Sequence, residues 1–272
     1  NAVIGVPLLR ERLFQVEFLT STTDEALITL IYHKTLSDDW ESRARELAQS
    51  LGCRIIGRSR KQKVVLDNSS IGETLCINDT RYHYRYYEQG FTQPNAAINI
   101  KMIEWVCRHL GDTARDLIEL YCGLGNFTLP LSQKFRRVLA TEVAKSSVHA
   151  AHENIALNHI ENIAIARLNA AETAQALRGE RAFKRLAALP HALGEYDFSA
   201  ILVDPPRAGL DEDSLRLAQS IDTIAYISCN PETLARDLEP LTQTHTIDAW
   251  AVFDQFPYTH HTECGVILSK RP

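Results

Sequence analysis

Cys229 stands where a thiol becomes reactive. Ile224-Ala-Tyr-Ile-Ser-Cys229-Asn-Pro231 reads as an apolar strand that delivers the thiol to its C-terminal tip, directly before a helix over 232–238. A helix N-terminus favours the thiolate, so the sequence predicts a nucleophile with a lowered pKa. The other five cysteines, Cys53, Cys76, Cys107, Cys122 and Cys264, lie in apolar surroundings or beside a glycine turn, where buried filler is the simpler reading. None of the six makes a C-x-x-C pair or a zinc-ligand spacing, so reduced thiols are expected. Thirty-four residues beyond Cys229, a polar and aromatic loop, Asp254-Gln-Phe-Pro-Tyr-Thr-His-His-Thr262, leads to Glu263 at the mouth of the last strand. Such a loop is costly to order unless it has a task. Adjacent His260 and His261 point oppositely on an extended segment and have no third ligand, which favours a structural or contact role over a metal.

A second constellation could hold a ligand. Asp116-Leu-Ile-Glu-Leu-Tyr121 runs into Cys122-Gly-Leu-Gly-Asn126 and then a helix start, a strand and glycine turn whose free amides and missing side chains admit close approach. The turn lacks the third glycine of the dinucleotide fingerprint, which argues against NAD. Glu142, at the end of the next strand, can accept bonds from a ribose diol; taken alone it would be a surface acid. Asp204-Pro-Pro-Arg207 ends a later strand, and its prolines stiffen the exit at the strand ends, where open α/β sheets bind ligands; the plain alternative is a turn.

The elements that position these residues fall into two styles. Over the first third, Phe14, Val16 and Phe18 are expected on one face of a strand and Leu27, Thr29 and Ile31 on one face of its antiparallel partner. Ser37 can cap a helix with Asp38 and Asp39 in its first turn and Gly52 at its end. Strands follow at 54–56, 63–66, 74–77 and 82–87. Beyond Gly90 the rhythm becomes βα alternation, with strands at 116–121, 138–142, 163–167, 198–203 and 224–228, hence a helix-covered parallel sheet. Strands 247–253 and 264–268 have no helix between them and should pair antiparallel at the edge. The expected boundary separates a smaller, β-rich α+β region over 1–92 from an α/β domain over 93–272.

Composition fits a folded globular protein: 45% apolar and 23% charged among 272 residues, with Gly and Pro unenriched. No apolar run could span a bilayer and no signal-peptide pattern opens the chain, so the expected address is cytoplasmic. A net charge of −5 argues against indiscriminate DNA coating, although 54–63 carries five basic residues and no acid. That stretch and the aromatic-basic segment Arg81–Tyr87 could face RNA or be a solvated β surface.

Taken together, these blocks resemble the tRNA (uracil-5-)-methyltransferases, within the RNA 5-methyluridine methyltransferase family. The matching segments are Phe91-Thr-Gln-Pro-Asn95, Glu119-Leu-Tyr-Cys-Gly-Leu-Gly-Asn126, Val203-Asp-Pro-Pro-Arg207, Ser228-Cys-Asn-Pro231 and Phe256-Pro-Tyr-Thr-His-His-Thr-Glu-Cys264, with Tyr32-His-Lys34 extending the likeness towards the start. The resemblance implies a Rossmann-like S-adenosylmethionine-dependent methyltransferase sheet closed by a terminal antiparallel pair, behind an RNA-binding region incomplete at its N-terminus. It implies that Gln93, Tyr121, Asn126, Glu142 and Asp204 contact S-adenosylmethionine, that Cys229 is the nucleophile and Glu263 the proton acceptor, and that Phe14 and His33 touch RNA. The implied reaction is methylation of uracil C5 at position 54 in the T-loop of tRNA, with the tRNA-like part of tmRNA a further substrate, by a monomer without DNA, membrane or metal partners. The residue types suit that chemistry. A thiolate adds to C6 and makes C5 nucleophilic, and a carboxylate then removes the C5 proton so that the thiol can leave. The uridine must be extruded from its stem-loop to be reached. No four-cysteine set for an iron–sulfur cluster is present, which favours the tRNA branch over a ribosomal-RNA uracil-C5 methyltransferase. Two other readings stay open: an RNA-folding module with secondary methyltransferase activity, and an amino-methyltransferase suggested by Asp204-Pro-Pro.

Overall fold

The computed structural model describes residues 1–272, and the chain divides into two compact units, residues 1–75 with 83–90 and residues 76–82 with 91–272. No helix is long and apolar enough to cross a membrane.

In the first unit, β1 (Leu13–Thr20), β2 (Ala26–Tyr32), β3 (Arg54–Ser59) and β4 (Gln62–Val65) form a sheet in that order. β1–β2 and β3–β4 are antiparallel, and β2–β3 is parallel across the helix α2 (Asp38–Leu51), which follows the short α1 (Pro7–Arg10). The α2 boundaries follow from local chemistry. Ser37 accepts from the Trp40 amide, Asp38, Asp39 and Glu41 meet the positive end of the dipole, and Gly52 closes the helix at φ 61°. Trp40, Ala44 and Leu47, at helical spacing, bury one face against Leu30, Tyr32 and Ile55. Gly57 belongs to this packing, because a Cβ there would stand 2.2 Å from the Trp40 ring.

One expectation fails in β1. The register steps from Leu13↔Tyr32 to Gln15↔Ile31, so Phe14 is the extra residue of a bulge. Leu13, rather than Phe14, therefore shares the face of Val16 and Phe18. The bulge turns Phe14 outwards, 63% exposed, with its ring 4.4 Å from that of His33. β5 (Ser70–Ile77) and β6 (Thr80–Tyr87) pair as a two-stranded ribbon.

The second unit holds a seven-stranded sheet built from β7 (Asp112–Leu120), β8 (Phe135–Thr141), β9 (Ile163–Ala166), β10 (Phe198–Val203), β11 (Thr223–Ser228), β12 (His245–Phe253) and β13 (Glu263–Lys270). The order is β12-β13-β11-β10-β7-β8-β9, with five parallel strands and then β13 and β12 antiparallel at one edge. The chain reverses direction across the sheet between β7 and β10, which makes their C-terminal ends a topological switch point. One face is sealed by α6 (Ala170–Leu177), α7 (Glu212–Ser220) and α8 (Pro231–Leu241), whose side chains pack on Ile118, Leu120, Ile201, Val203, Ile224, Tyr226, Val266 and Leu268. By strand alternation, the opposite face carries Glu119, Leu202, Ala225, Ile227 and Gly265. On that face Trp105 of α3 (Ala96–His109) packs on Phe253 and stands where a Cβ on Gly265 would intrude, while α4 (Thr128–Leu131) follows β7 and α5 (Lys145–Leu157) follows β8.

Candidate active site

Strand register brings the reacting candidates together. β11 and β13 are antiparallel with Ser228 opposite Cys264, so the next step of the ladder sets Cys229 against Glu263 on one face. β10 and β11 are parallel with Val203 opposite Tyr226, which sets Asp204 beside Ile227, on the side that Cys229 shares two residues later. β7 places Glu119 opposite Leu202, two residues before Asp204 and again on that side. A thiol and three carboxyls thus line one end of the sheet, at the C-terminal ends of β7, β10 and β11 and the N-terminal end of antiparallel β13.

Local bonds fix their backbones. Ser228 Oγ accepts from the Asn230 amide at 3.2 Å, and Asn230 Oδ1 caps α8 by accepting from Glu232. Asn230 Nδ2 and Thr233 Oγ1 both donate to the Arg207 carbonyl, at 3.1 and 3.2 Å, which ties the Asp204-Pro-Pro-Arg207 exit to the start of α8. Buried Asp237 secures the other end of that exit, accepting from the Leu210 amide at 2.8 Å and the Tyr226 hydroxyl at 2.6 Å.

The electrostatics correct one expectation. The Cys229 thiol is pushed above its ordinary value by burial first, and then by Glu263 and Asp204. The helix N-terminus expected to lower it is outweighed. Cys229 lies outside the Asn230 cap, and the nearby Asn230 and Glu232 amides are engaged by Ser228 and Asn230 side chains. The acids respond in the same direction. Glu263, 3% exposed, is raised to about 7 by burial against the lowering influence of Arg207. Asp204 is raised to about 8 by burial and by Glu263. Glu119, 2% exposed, is also raised to about 8, with burial the leading cause and Asp204 contributing. Arg207 carries the positive charge beside this group, and its Nη2 lies 2.8 Å from His261 Nδ1. No cluster of three or more His, Cys, Asp or Glu side chains could hold a metal ion.

The ligand-binding candidates form two groups. Around the glycine turn, Glu142 accepts from the Gly123 amide at 3.1 Å and from the Ala144 amide at 2.7 Å. Gly123, at φ 57°, has open space where a Cβ would sit. Tyr121 holds φ 61° at the strand exit, and Asn126 exchanges two amide bonds of 2.8 and 2.9 Å with buried Asn99 of α3. Beneath the turn, Glu119 and Thr128 are buried, and the Thr128 hydroxyl pulls the Glu119 carboxyl down against the larger lift of burial. Gln93 belongs elsewhere: its Oε1 accepts from Gln255 Nε2 at 2.8 Å. Phe14 and His33 lie in the first unit, their rings 4.4 Å apart and tilted by 55°. Sequence reasoning gave no role to Glu119, Asn99, Asp237 or Gln255. Only the position of Glu119 inside a strand of otherwise apolar residues was a usable signal.

Comparison with known proteins shows the family to which the chain belongs. The family described as tRNA (Uracil-5-)-methyltransferase matches residues 2–271. A tRNA/tmRNA (uracil-C(5))-methyltransferase of Sulfurovum sp. is 55% identical over 265 residues, 97% of this chain and 71% of that protein. The protein of the same name from Saccharophagus degradans is 55% identical over 264 residues, 97% of this chain and 72% of its own length. Among solved structures, the tRNA (uracil-54, C5)-methyltransferase of Pyrococcus abyssi in complex with S-adenosyl-L-homocysteine superposes with a TM-score of 0.68 at 21% identity. That match covers 93% of this chain and 59% of that one, and it speaks to the fold.

Proposed function

Because the chain belongs to the tRNA (uracil-5-)-methyltransferase family, we propose that it methylates C5 of a tRNA uracil from S-adenosylmethionine, with Cys229 as nucleophile and Glu263 as proton acceptor. The observation that carries this reading is the strand register that sets Cys229 against Glu263 at the switch-point end of the sheet. The target is the T-loop uridine at position 54, and the relatives' names extend the substrate class to tmRNA. Residues 1–92 supply RNA contact through Phe14 and His33, and the protein works in the cytoplasm as a single chain.

The residues present suit S-adenosylmethionine. An open glycine turn beside Glu142 fits a ribose diol, and a group of partly protonated carboxyls at the neighbouring strand ends fits a cation. Tyr121, Asn126, Glu142 and Asp204 would hold it, with Gln93 approaching from the Gln255 side. When bound, it supplies an electrophilic methyl group.

This chain's own residues do the rest. The Cys229 thiol, protonated at rest, must pass its proton to water as Sγ bonds to C6. The bond converts the C5–C6 double bond into an enolate nucleophilic at C5. Once C5 carries the methyl group, Glu263 takes the remaining C5 proton, the C5–C6 double bond re-forms and Sγ departs. Glu263 suits that task because its pKa of about 7 makes it a stronger base than an ordinary carboxylate, yet leaves it substantially ionised near neutrality. Nucleoside analysis of unmodified tRNA after reaction tests the reading. It predicts 5-methyluridine at position 54, whereas methylation on an exocyclic amine or on no nucleoside would refute it.

A further inference from the structure

We propose that Gln255 reads the N3–H group of the target uracil, an inference that rests on the uracil-C5 reading and names how the site selects its base. Gln255 is 1% exposed, and its backbone amide donates to the Phe253 carbonyl at 3.0 Å, fixing the start of the loop that ends at Glu263. Its side-chain Nε2 donates to Gln93 Oε1 at 2.8 Å, while its Oε1 is buried with no partner. A buried amide oxygen left without a donor is costly, so a fold that keeps one two residues beyond Phe253, the ladder partner of Glu263, reserves it for a donor that arrives with a ligand. Turning over this amide alone would set Oε1 against Gln93 Oε1, so in the assigned pair the acceptor is the group presented.

The sheet order indicates which ligand. From one flank to the other, the strand ends carry Glu142 after β8, Tyr121 after β7, Asp204 after β10, Cys229 after β11, Glu263 at β13 and Gln255 beyond β12. The cofactor candidates around the glycine turn lie on the β10-β7-β8 flank, and Gln255 lies on the opposite flank of the Cys229–Glu263 pair. The base must straddle that pair. Uracil offers one donor on its pairing edge, N3–H, between two carbonyl acceptors, whereas cytosine presents an acceptor at N3. An acceptor held at this place therefore favours uracil and leaves cytosine with two opposed lone pairs.

The test uses the full chain with T-arm RNAs carrying either uridine or 3-methyluridine at the target position, comparing wild type with Gln255→Ala and the bulkier Gln255→Leu. With uridine, kcat/KM should fall by about tenfold or more in both variants. The penalty for the N3-methyl group should shrink by about the same factor. An unchanged N3-methyl penalty in a folded variant would overturn the assignment. A wild-type protein that forms no 5-methyluridine from the uridine arm would instead overturn the parent reading, so the two failures are distinguishable.

Discussion

The raised pKa of Glu263 makes the release of the methylated base pH-dependent in a range where an ordinary glutamate would be silent. Burial lifts the group from 4.5 to about 7, against the pull of Arg207. The base must be ionised, so the elimination rate follows the carboxylate fraction: about one tenth at pH 6, one half at pH 7 and nine tenths at pH 8, roughly a tenfold rise. Single-turnover decay of the covalent protein–RNA species, quenched into denaturant across pH 5.5–8.5, isolates that step from thiol addition. Glu263→Gln should trap the adduct and abolish the inflection. Arg207→Met removes the lowering charge, so the midpoint should move above 7 and the rate at neutral pH should drop. A decay rate flat from pH 5.5 to 8.5, or a midpoint that stays near 7 in Glu263→Gln, would refute the assignment of the base.

Three further outcomes follow from the geometry. Glu119 is neutral-favouring in the fold, with a folded pKa of about 8 against an ordinary 4.5. Its contribution is therefore intact below pH 4.5 and is lost as pH rises through 8. Wild-type stability should fall over that window by roughly 5 kcal/mol more than that of Glu119→Gln, measured by urea unfolding at each pH. Asp237→Ala strands the Tyr226 hydroxyl and the Leu210 amide in the core and should cost about 3 kcal/mol in urea midpoint analysis, whereas Asp237→Asn keeps one acceptor and costs less. Phe14→Ala should weaken T-arm binding by about tenfold, the loss expected for one stacked ring, while leaving S-adenosylmethionine affinity untouched; equal loss of both would place Phe14 in a structural role.

Much of the second unit is legible in the sequence because its central strands are buried on both faces. Runs such as Phe198–Val203 and Thr223–Ser228 are nearly continuous in apolar residues and stop at Asp204 and Cys229, so the strand ends and their chemistry announce themselves together. Boundaries drift where polar residues enter a strand. β5 starts at Ser70 rather than Thr74 because buried Glu73 finds partners in the Thr22 and Thr74 amides. β7 begins at Asp112, in a stretch with a register break before Asp116. The bulge at Phe14 leaves no mark on composition, and a one-residue insertion in a ladder reverses every face assignment before it. At the site, the placement of Cys229 and Glu263 at neighbouring strand ends is readable, but the direction of the thiol's pKa is not. The helix start is a local feature, whereas the burial and the carboxyls that outweigh it come from β10 and β13. Gln255 was invisible for the same reason, since its unpaired oxygen exists only once the β12–β13 loop has closed against Gln93.

The central claim is that Cys229 Sγ bonds to the pyrimidine during turnover. Incubating the protein with S-adenosylmethionine and a T-arm RNA carrying 5-fluorouridine at the target position, where fluorine replaces the hydrogen Glu263 must remove, should halt the reaction at the adduct. The account predicts a denaturant-resistant protein–RNA species whose cross-linked peptide maps to Cys229 and which Cys229→Ala cannot form. A wild-type protein that methylates tRNA but yields no such species, or one whose cross-link maps to Cys122 or Cys264, would contradict it.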